Sequence, residues 1–454
     1  MYEYLKKFRI TPRVVKADTV QSVSVECLDE SRLFYDDLEY SVDIYPTEFR
    51  SYEENKELMM RGRDNCHKII CRPVNGVITF DFCFYGEQEW TIKITRLKSD
   101  KHIPERFMEN NWPWLVDALY HSIDFKMYSL AEDLYNKRPF KGDLHIHTYG
   151  SDGGESPEFV ASQYRKFGFD FISITDHYVM EPSVQAIKAF EPLDTEFKLF
   201  PGEEVHPVKG GVFHMVNFNG KSSVNKIYYD DIEKTTAEVE KIAETIECPD
   251  PDDKVELAWF KWMADEIRKS GGIAIYPHPY WVVLGSLNVR SSISEEIFKQ
   301  GFCDVYEILG GTSNPAHNRI QVQINYDMRD KGYKYPIVAS SDAHSSLVHG
   351  VSFFDSSWTV VFSENADKIP ENIMADMSVA VDNHLVENKN VYGNLRLVKY
   401  TWFLIDNYYA EHDELCNASG QAILRYMQGD KSQAKLISLL EDELRKYNEN
   451  FFGR

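Results

Sequence analysis

The 454-residue sequence contains no apolar run of the roughly 18 residues that are needed to span a bilayer. Its first residues, MYEYLKKFRITPRVVK, lack the apolar core and the cleavage site of a signal peptide. Cysteine is scarce: seven residues are scattered along the chain without a CxxC pair, so neither a disulfide framework nor a zinc ribbon is expected. These absences predict a cytoplasmic protein with reduced thiols.

Basic charge is also in short supply, because 50 Lys and Arg residues face 72 Asp and Glu residues and leave a net charge of −22. Such a chain repels phosphate backbones and anionic lipids, so we expect neither stable nucleic-acid binding nor a membrane partner. With 43% hydrophobic residues, the chain is predicted to fold into two or three domains at about 150 residues each.

Residues 1–138 are predicted to form a small β-sandwich-like domain. The segments VQSVSVEC and YSVDIYPTEF alternate apolar and polar residues, as half-buried strands do. Asn75-Gly76 lies between two further β-rich runs and predicts a hairpin turn. A short helical stretch, from NWPWLVDALYHSIDF into MYSLAEDLYNKR, is expected to lead into the next domain.

Residues 139–365 alternate strand-like and helix-like segments, which predicts an α/β fold with a parallel sheet. The number of these repeats favours a closed barrel. Residues 366–454 are predicted to be a helical C-terminal region that packs on the barrel, with helices in ENIMADMSVAVDNH, LRLVKYTWFLIDNYYAEHDELC and SQAKLISLLEDELRKYNENF.

Histidines and acids follow the predicted strands of the barrel, where the active sites of such folds lie. Residues i and i+2 of a strand share a face, so His145 and His147 in DLHIHT can bind one metal ion together. Asp143 shares that face and could orient one of the imidazoles. Asp152 follows in the loop YGSDGG, whose glycines allow the carboxylate to fold back towards the site. The combination predicts a metal site.

Further candidates follow the later strands: Asp176, His177, Glu203, Glu204, His206, His214, His278, Asp342 and His344. Adjacent carboxylates on a strand point to opposite sides, so one of Glu203 and Glu204 is expected to enter the site. His206 taken alone is more typical of an ordinary polar residue. Oxygen and imidazole ligands without thiolate suit Zn, Mn or Fe, and two or three such divalent ions are the expected cofactors.

The motifs GDLHIHTYGSDG, SITDH, PGEE, FHMVNF, YPHP and SSDAH, in this order over about residues 141–350, resemble those of the PHP (polymerase and histidinol phosphatase) superfamily. The first motif and the preceding β domain most resemble the CehA/McbA-type branch. The resemblance implies a distorted (β/α)7 TIM-like barrel with up to three metal ions. The implied ligands are His145, His147, Glu204 and Asp342 for the first ion, Glu204, His214 and His278 for the second, and Asp152, His177 and His344 for the third. Glu204 is the third residue of the family's G-x-E pattern, and Asp152 stands where other members have His.

The function predicted from these features is a metal-dependent phosphoesterase, which hydrolyses a small-molecule phosphate mono- or diester with a metal-bound hydroxide. Glu204 and His177 would act within the metal centre, and Asp176 or a metal-bound water would protonate the leaving group. The candidates for binding the substrate anion are Lys209, His317, Arg319 and His349.

Three alternatives remain open. The same metal site could cleave an ester, amide or carbamate, since sequence does not separate phosphorus from carbon as the electrophile. The chain could also be a non-catalytic PHP accessory or binding module, against which the net charge and the complete ligand set count. In a third possibility, the N-terminal domain is the functional binder, for another protein or a carbohydrate.

Overall fold

The computed structural model describes residues 7–28, 34–60, 66–97, 102, 122–207, 213–283, 285–311, 314–346, 354–384 and 389–454. The chain divides into two compact units. One contains Met1–Lys137, Phe403–Tyr408 and Arg445–Arg454, and the other contains Arg138–Trp402 and Tyr409–Leu444. None of the seven cysteines, all of which lie in the described ranges, forms a disulfide bond. None of the helices in the described ranges combines the length and the apolar character that a membrane crossing requires.

The first unit is built from two β-sheets. Its strands are β1 (Phe8–Thr11), β2 (Val14–Lys16), β3 (Val20–Cys27), β4 (Tyr40–Pro46), β5 (His67–Cys71), β6 (Val77–Cys83), β7 (Gln88–Arg96) and β8 (Ser122–Leu130). The strand orders are β1-β3-β6 and β2-β8-β7-β4-β5. Alternate residues such as Val23, Ile78 and Ile92 contribute to one apolar cluster that both sheets share. Two short helices accompany the sheets, Tyr52–Met60 and Glu132–Tyr135.

Two details of this unit differ from the sequence-based expectation. Asn75 and Gly76 form the predicted turn with φ of 52° and 75°, but the strands that flank it, β5 and β6, belong to different sheets. The helical stretch predicted from NWPWLVDALYHSIDF into MYSLAEDLYNKR is wrong for residues 122–130, which form β8. Ile123 and Phe125 are buried there and alternate with exposed residues, and the strand pairs with β7. Residues 111–121 of that prediction lie outside the described ranges.

The second unit contains two larger sheets. Its strands are β9 (Arg138–Asp143), β10 (Phe171–Ser173), β11 (Lys198–Phe200), β12 (Gly202–Val205), β13 (Met215–Phe218), β14 (Ile273–Tyr276), β15 (Val282–Val283), β16 (Ser286–Leu287), β17 (Val305–Leu309), β18 (Ile337–Ala339), β19 (Ser357–Ser363), β20 (Ser378–Asp382) and β21 (Asn390–Gly393). The orders are β11-β10-β9-β19-β20-β21 and β12-β13-β14-β17-β18, with β15 and β16 paired separately. The α/β class predicted from the sequence is confirmed.

Both large sheets are mixed, although strand–helix alternation predicted a parallel sheet. β9, β10 and β11 run parallel, whereas β19 and β20 are antiparallel neighbours. β13 is antiparallel to β12 because residues 206–214, which connect them, are too few for a crossover helix of about a dozen residues or more. One apolar cluster takes residues from strands of both sheets, including Phe171, Val216, Val305 and Val338.

Helices of this unit pack against its strands in a further apolar cluster, to which helix Lys254–Lys269 and strands such as β14 and β17 both contribute. The helices of this unit are Pro157–Lys166, Glu181–Phe190, Val224–Asp230, Ile232–Thr245, Lys254–Lys269, Ser291–Gln300, Pro315–Asp330, Ile369–Met374, Leu395–Asn407, Tyr409–Met427 and Ala434–Phe452, of which Leu395–Asn407 and Ala434–Phe452 are in this unit only in their first parts. Local sequence explains their ends. Ser156 accepts a hydrogen bond from Phe159 N at the start of the first helix, and Gly301 ends helix Ser291–Gln300 with φ of 72°.

Part of the region predicted to be helical is β structure. Within ENIMADMSVAVDNH, the helix Ile369–Met374 ends before β20, where SVAVD pairs antiparallel with β19. The β-branched Val379 and Val381 are fully buried, which suits a strand better than a helix. The predicted helix LRLVKYTWFLIDNYYAEHDELC is divided into Leu395–Asn407 and Tyr409–Met427.

A buried ion pair joins two helices of the second unit and predicts a large effect on stability. Arg165 and Glu441 are both 0% exposed and form two hydrogen bonds of 3.2 and 2.8 Å. Removing one partner leaves an uncompensated buried charge, so we expect Glu441→Ala to lower the free energy of unfolding by about 3–5 kcal/mol. Urea denaturation measures this, with exposed Glu443→Ala as the matched control. Equal stability of the two variants would contradict the prediction.

Candidate metal centre

Two short parallel bridges bring the ligand segments together beyond the strand ends. Ile146, after β9, bridges Ala343, after β18, and His177, after β10, bridges Glu204 in β12. Residues on either side of a bridging residue share a face. The residues that flank the first bridge, and so point to the same side, are His145, His147, Asp342 and His344.

The Glu204 carboxylate lies at the centre of the cluster and is 1% exposed. Its Oε2 is 3.5 Å from His145 Nε2 and 3.4 Å from His147 Nε2. Asp342 Oδ1 completes this group, at 3.4 and 2.8 Å from the same two nitrogens. Nitrogen and oxygen ligands on one tetrahedral ion lie about 3.3 Å apart, so these four distances suit ligands of one ion, and His145, His147 and Asp342 form a group that could hold it.

The other oxygen of Glu204 faces a second pair of histidines. Glu204 Oε1 is 2.9 Å from His214 Nε2, which is 3.4 Å from His278 Nε2. His278 Nε2 lies in turn 3.8 Å from Asp342 Oδ2. The two oxygens of one carboxylate therefore serve two adjacent groups, which is the arrangement of a carboxylate that bridges two ions.

The third predicted group lies nearest to solvent. Asp152 Oδ2 is 3.5 Å from His177 Nε2 and 3.3 Å from His344 Nε2. The side chains of Asp152, His344 and His177 are 55%, 36% and 23% exposed, whereas those of His145 and His147 are 1% and 0% exposed. The structure thus brings all nine sequence-predicted ligands together, and the cluster opens to solvent at this third group.

The donor atoms fit a metal ion better than they satisfy one another. Within the described residues, His145 Nε2 and Glu204 Oε2 are buried without a hydrogen-bond partner. An unsatisfied buried polar atom costs about 1–3 kcal/mol, and metal ions would bind both atoms. His278 and Asp342 also have positive φ, 24° and 50°, a strain that is concentrated at functional sites.

Glu307 belongs to this cluster, although the sequence analysis did not select it. Its Oε2 lies 3.2 Å from His145 Nδ1, and the residue is fully buried on β17. The expectation that Asp143 orients an imidazole is wrong, because Asp143 binds Ser341 N, Tyr164 Oη and the backbone N of His145 instead. The sequence did contain an indication of Glu307, because a carboxylate inside the apolar strand VYEIL is hard to explain by packing.

His206, which by sequence was more typical of an ordinary polar residue, also belongs to the cluster. Its Nε2 is 3.2 Å from Glu204 Oε1 and 2.9 Å from His177 Nδ1. The i, i+2 relation to Glu204 could have indicated its position. Glu203, in contrast, points away and accepts hydrogen bonds from Ser223, Val224 N, Asn217 and Asn225.

Asp176 positions the loop that carries Asp152. Its carboxylate accepts hydrogen bonds of 2.8 and 2.7 Å from Thr148 N and Oγ1, and one of 2.7 Å from Ser151 Oγ. Both oxygens are therefore bound to loop donors, and transfer of a proton to the leaving group stays a prediction.

Four residues were predicted to bind the substrate anion. Lys209 and His349 are outside the described residues. His317 and Arg319 lie on the first turns of helix Pro315–Asp330, where His317 Nε2 is 3.1 Å from Asn314 Nδ2 and Arg319 is exposed. Their role in substrate binding stays a prediction.

Protons compete with a metal ion for the imidazoles of the third group, those of His177 and His344. Burial lowers the pKa of His344, but Asp152 and Asp342 raise it to about 9. Burial also lowers the pKa of His177, but Glu204 and Asp152 raise it to about 11. Below about pH 9 each imidazolium must lose its proton before it binds an ion, so we expect the affinity of this group to rise about hundredfold per pH unit. Competition with a chelating dye at several pH values measures this, and a pH-independent affinity would contradict it.

No family model matches the chain, and no curated protein matches it. A two-domain protein from Bacteroides vulgatus that contains a predicted PHP-like metal-dependent phosphoesterase is a similar solved structure, with 17% identity and a TM-score of 0.36. The match covers 54% of this chain and 65% of that one, so the chain spans just under two thirds of that neighbour.

Two other solved structures are similar over about half of this chain. One is a proposed metal-dependent phosphoesterase from Bifidobacterium adolescentis, with 17% identity, a TM-score of 0.35, and 51% and 95% of the two chains covered. The other is an amidohydrolase from Chromobacterium violaceum, with 15% identity, a TM-score of 0.31, and 47% and 90% covered. These likenesses are distant, and the CehA/McbA-type branch stays a prediction.

Proposed function

We propose that this protein is a metal-dependent phosphoesterase that hydrolyses a phosphate mono- or diester of a small molecule. The observation that carries the proposal is the buried Glu204 carboxylate, which is surrounded by five imidazoles, with Oε2 and Oε1 facing different ones. Divalent ions bridged by such a carboxylate would polarise a phosphoryl oxygen and make water nucleophilic near neutral pH.

The contacts support the following ligand sets. His145, His147, Glu204 and Asp342 would hold the first ion, Glu204, His214 and His278 the second, and Asp152, His177 and His344 the third. Imidazole and carboxylate donors suit Zn, Mn or Fe, and two or three ions would fill the centre.

The residues around the centre determine how a substrate would reach it. Asp152 and His344 are the most exposed of the ligands, so a phosphate group would enter beside them. Asp176 holds the Asp152 loop through Thr148 and Ser151, and this keeps the opening in place. His177 lies between the open group and Glu204, where it can contact both.

The fold that we propose for the second unit is a distorted seven-stranded barrel. The bridges Ile146–Ala343 and His177–Glu204 connect the two large sheets at two places. The apolar cluster to which strands of both sheets contribute is the kind of core that fills such a barrel.

Hydrolysis of four aryl substrates with the same leaving group tests the function. After loading with Mn²⁺, Zn²⁺ or Fe²⁺, the protein is expected to cleave nitrophenyl phosphate or bis(nitrophenyl) phosphate. Nitrophenyl acetate and a nitrophenyl carbamate serve as the comparison. Turnover of only the acetate or carbamate would replace the phosphoesterase with a carboxyl-derivative hydrolase, and a chain without bound metal would contradict both.

A further inference from the structure

A second cluster of metal-ligating side chains in the second unit shares no residue with the centre around Glu204. Asp170 precedes β10, and His412 and Cys416 lie one turn apart on helix Tyr409–Met427. One ligand atom from each lies within 4.8 Å of the others, and the three residues are 9%, 0% and 0% exposed. The i, i+4 spacing places His412 and Cys416 on one face of the helix.

We propose that Asp170, His412 and Cys416 bind a zinc ion. His412 Nε2 is 3.0 Å from Asp170 Oδ1 and 3.6 Å from Cys416 Sγ. On a tetrahedral zinc ion, nitrogen and oxygen ligands lie about 3.3 Å apart, and nitrogen and sulfur ligands about 3.6 Å apart. The distances from His412 Nε2 to the other two atoms therefore suit zinc ligands, all three atoms lie within 4.8 Å of one another, and a water molecule would take the fourth position.

The imidazole is oriented for this role. His412 Nδ1 is 2.9 Å from Asp413 Oδ1. A histidine that donates Nδ1–H to a carboxylate presents the lone pair of Nε2, as metal-bound histidines commonly do. Asp170 is oriented as well, because its Oδ2 accepts a hydrogen bond of 2.9 Å from Lys141 N and its Oδ1 faces His412.

The charges around the cluster also accommodate a zinc ion bound through a thiolate. Arg165 lies 3.5 Å from Asp170 Oδ1, but Glu441 neutralises it through two hydrogen bonds. Lys141 interacts with three carboxylates, which are Asp170, Asp355 and Asp413, and Lys389 also interacts with Asp355. One negative charge is therefore in surplus among these residues, and a zinc ion that replaces the Cys416 thiol proton would neutralise it.

The ion would connect helix Tyr409–Met427 to the start of β10. Imidazole, thiolate and carboxylate are all ligands of zinc, and binding would release the Cys416 thiol proton to solvent. The centre around Glu204 contains no thiolate among its described ligands. A signal from metal-bound sulfur therefore distinguishes the two sites.

Exchange of bound metal for Co²⁺ tests the proposal in the full-length protein. A thiolate bound to Co²⁺ gives a charge-transfer band in the near ultraviolet. We expect this band in the wild-type protein and in Cys303→Ser, a control that removes another buried thiol from an apolar cluster. Cys416→Ser is expected to lose the band and about one metal ion per chain.

The wild-type spectrum alone can overturn the proposal, even if Cys416→Ser fails to fold. A wild-type protein that has taken up Co²⁺ but lacks the thiolate band would show that Cys416 binds no metal. A band that persists in Cys416→Ser, or an equal metal content in the two proteins, would have the same meaning. The cluster would then be an ion-pair network in which His412 is the cation.

Discussion

Glu204→Gln is expected to reduce hydrolytic activity by at least about a thousandfold and to lower the number of bound metal ions. The carboxylate is the shared ligand of two groups, with Oε2 facing His145 and His147 and Oε1 facing His214. An amide keeps the shape of the side chain, but it is neutral and turns an NH2 group towards one of the two groups. The bridge between two ions is thereby lost. Metal content after dialysis and kcat/KM measure the two effects.

Glu203→Gln is the matched control for this experiment. Glu203 is the adjacent residue and equally buried, but its carboxylate binds Ser223 and Asn225 outside the metal centre. We expect this variant to retain its metal ions and to lose only stability. If Glu204→Gln keeps the metal content and activity of the wild type, Glu204 is not the bridging ligand, and the proposed function loses its main support.

Glu307→Ala is expected to weaken the binding of the most buried ion about 10–100-fold. Glu307 Oε2 lies 3.2 Å from His145 Nδ1 and fixes the ring so that Nε2 faces Glu204 and Asp342. Glu307→Gln keeps an oxygen that can accept the Nδ1–H bond, so it is expected to retain most of the affinity. Chelator competition at constant pH measures the dissociation constants.

The stability of the metal-free protein distinguishes an orienting role of Glu307 from a purely structural one. Burial raises the pKa of Glu307, since a charged carboxylate is costly in this environment. The metal-free Glu307→Gln variant is therefore expected to unfold at a temperature no lower than that of the metal-free wild type. Equal metal affinity of the alanine, glutamine and wild-type proteins would contradict an orienting role.

The ligand segments could be predicted from the sequence because each combines an apolar strand with a polar residue directly after it. DLHIHT, SITDH, YPHP and SSDAH all show this pattern, and their side chains meet in the structure. Strand periodicity predicted that only one of Glu203 and Glu204 enters the site, the family resemblance implied that it is Glu204, and the two carboxylates do point to different surroundings. The α/β class could also be predicted from the sequence, because apolar residues repeat with a different period in strands and in helices.

Pairing partners could not be predicted in this way, because they depend on contacts between distant segments. No local pattern shows that β19 joins β9, or that β20 forms a strand where helix was expected. His145 and Glu307 are likewise separated by most of the second unit's strands. The contact between these two side chains, which only the tertiary structure brings about, explains why the Glu307 carboxylate is tolerated within a buried strand.

The sequence by itself therefore determined which residue types lie at the strand ends, and with them the chemistry of the centre. The tertiary structure decided which carboxylate orients His145, that Asp176 holds the Asp152 loop, and that His206 joins the cluster. It also brought Asp170 to His412 and Cys416. The physical reason is that periodicity within one element fixes the direction of a side chain, whereas its partner is chosen by the packing of elements far apart in the chain.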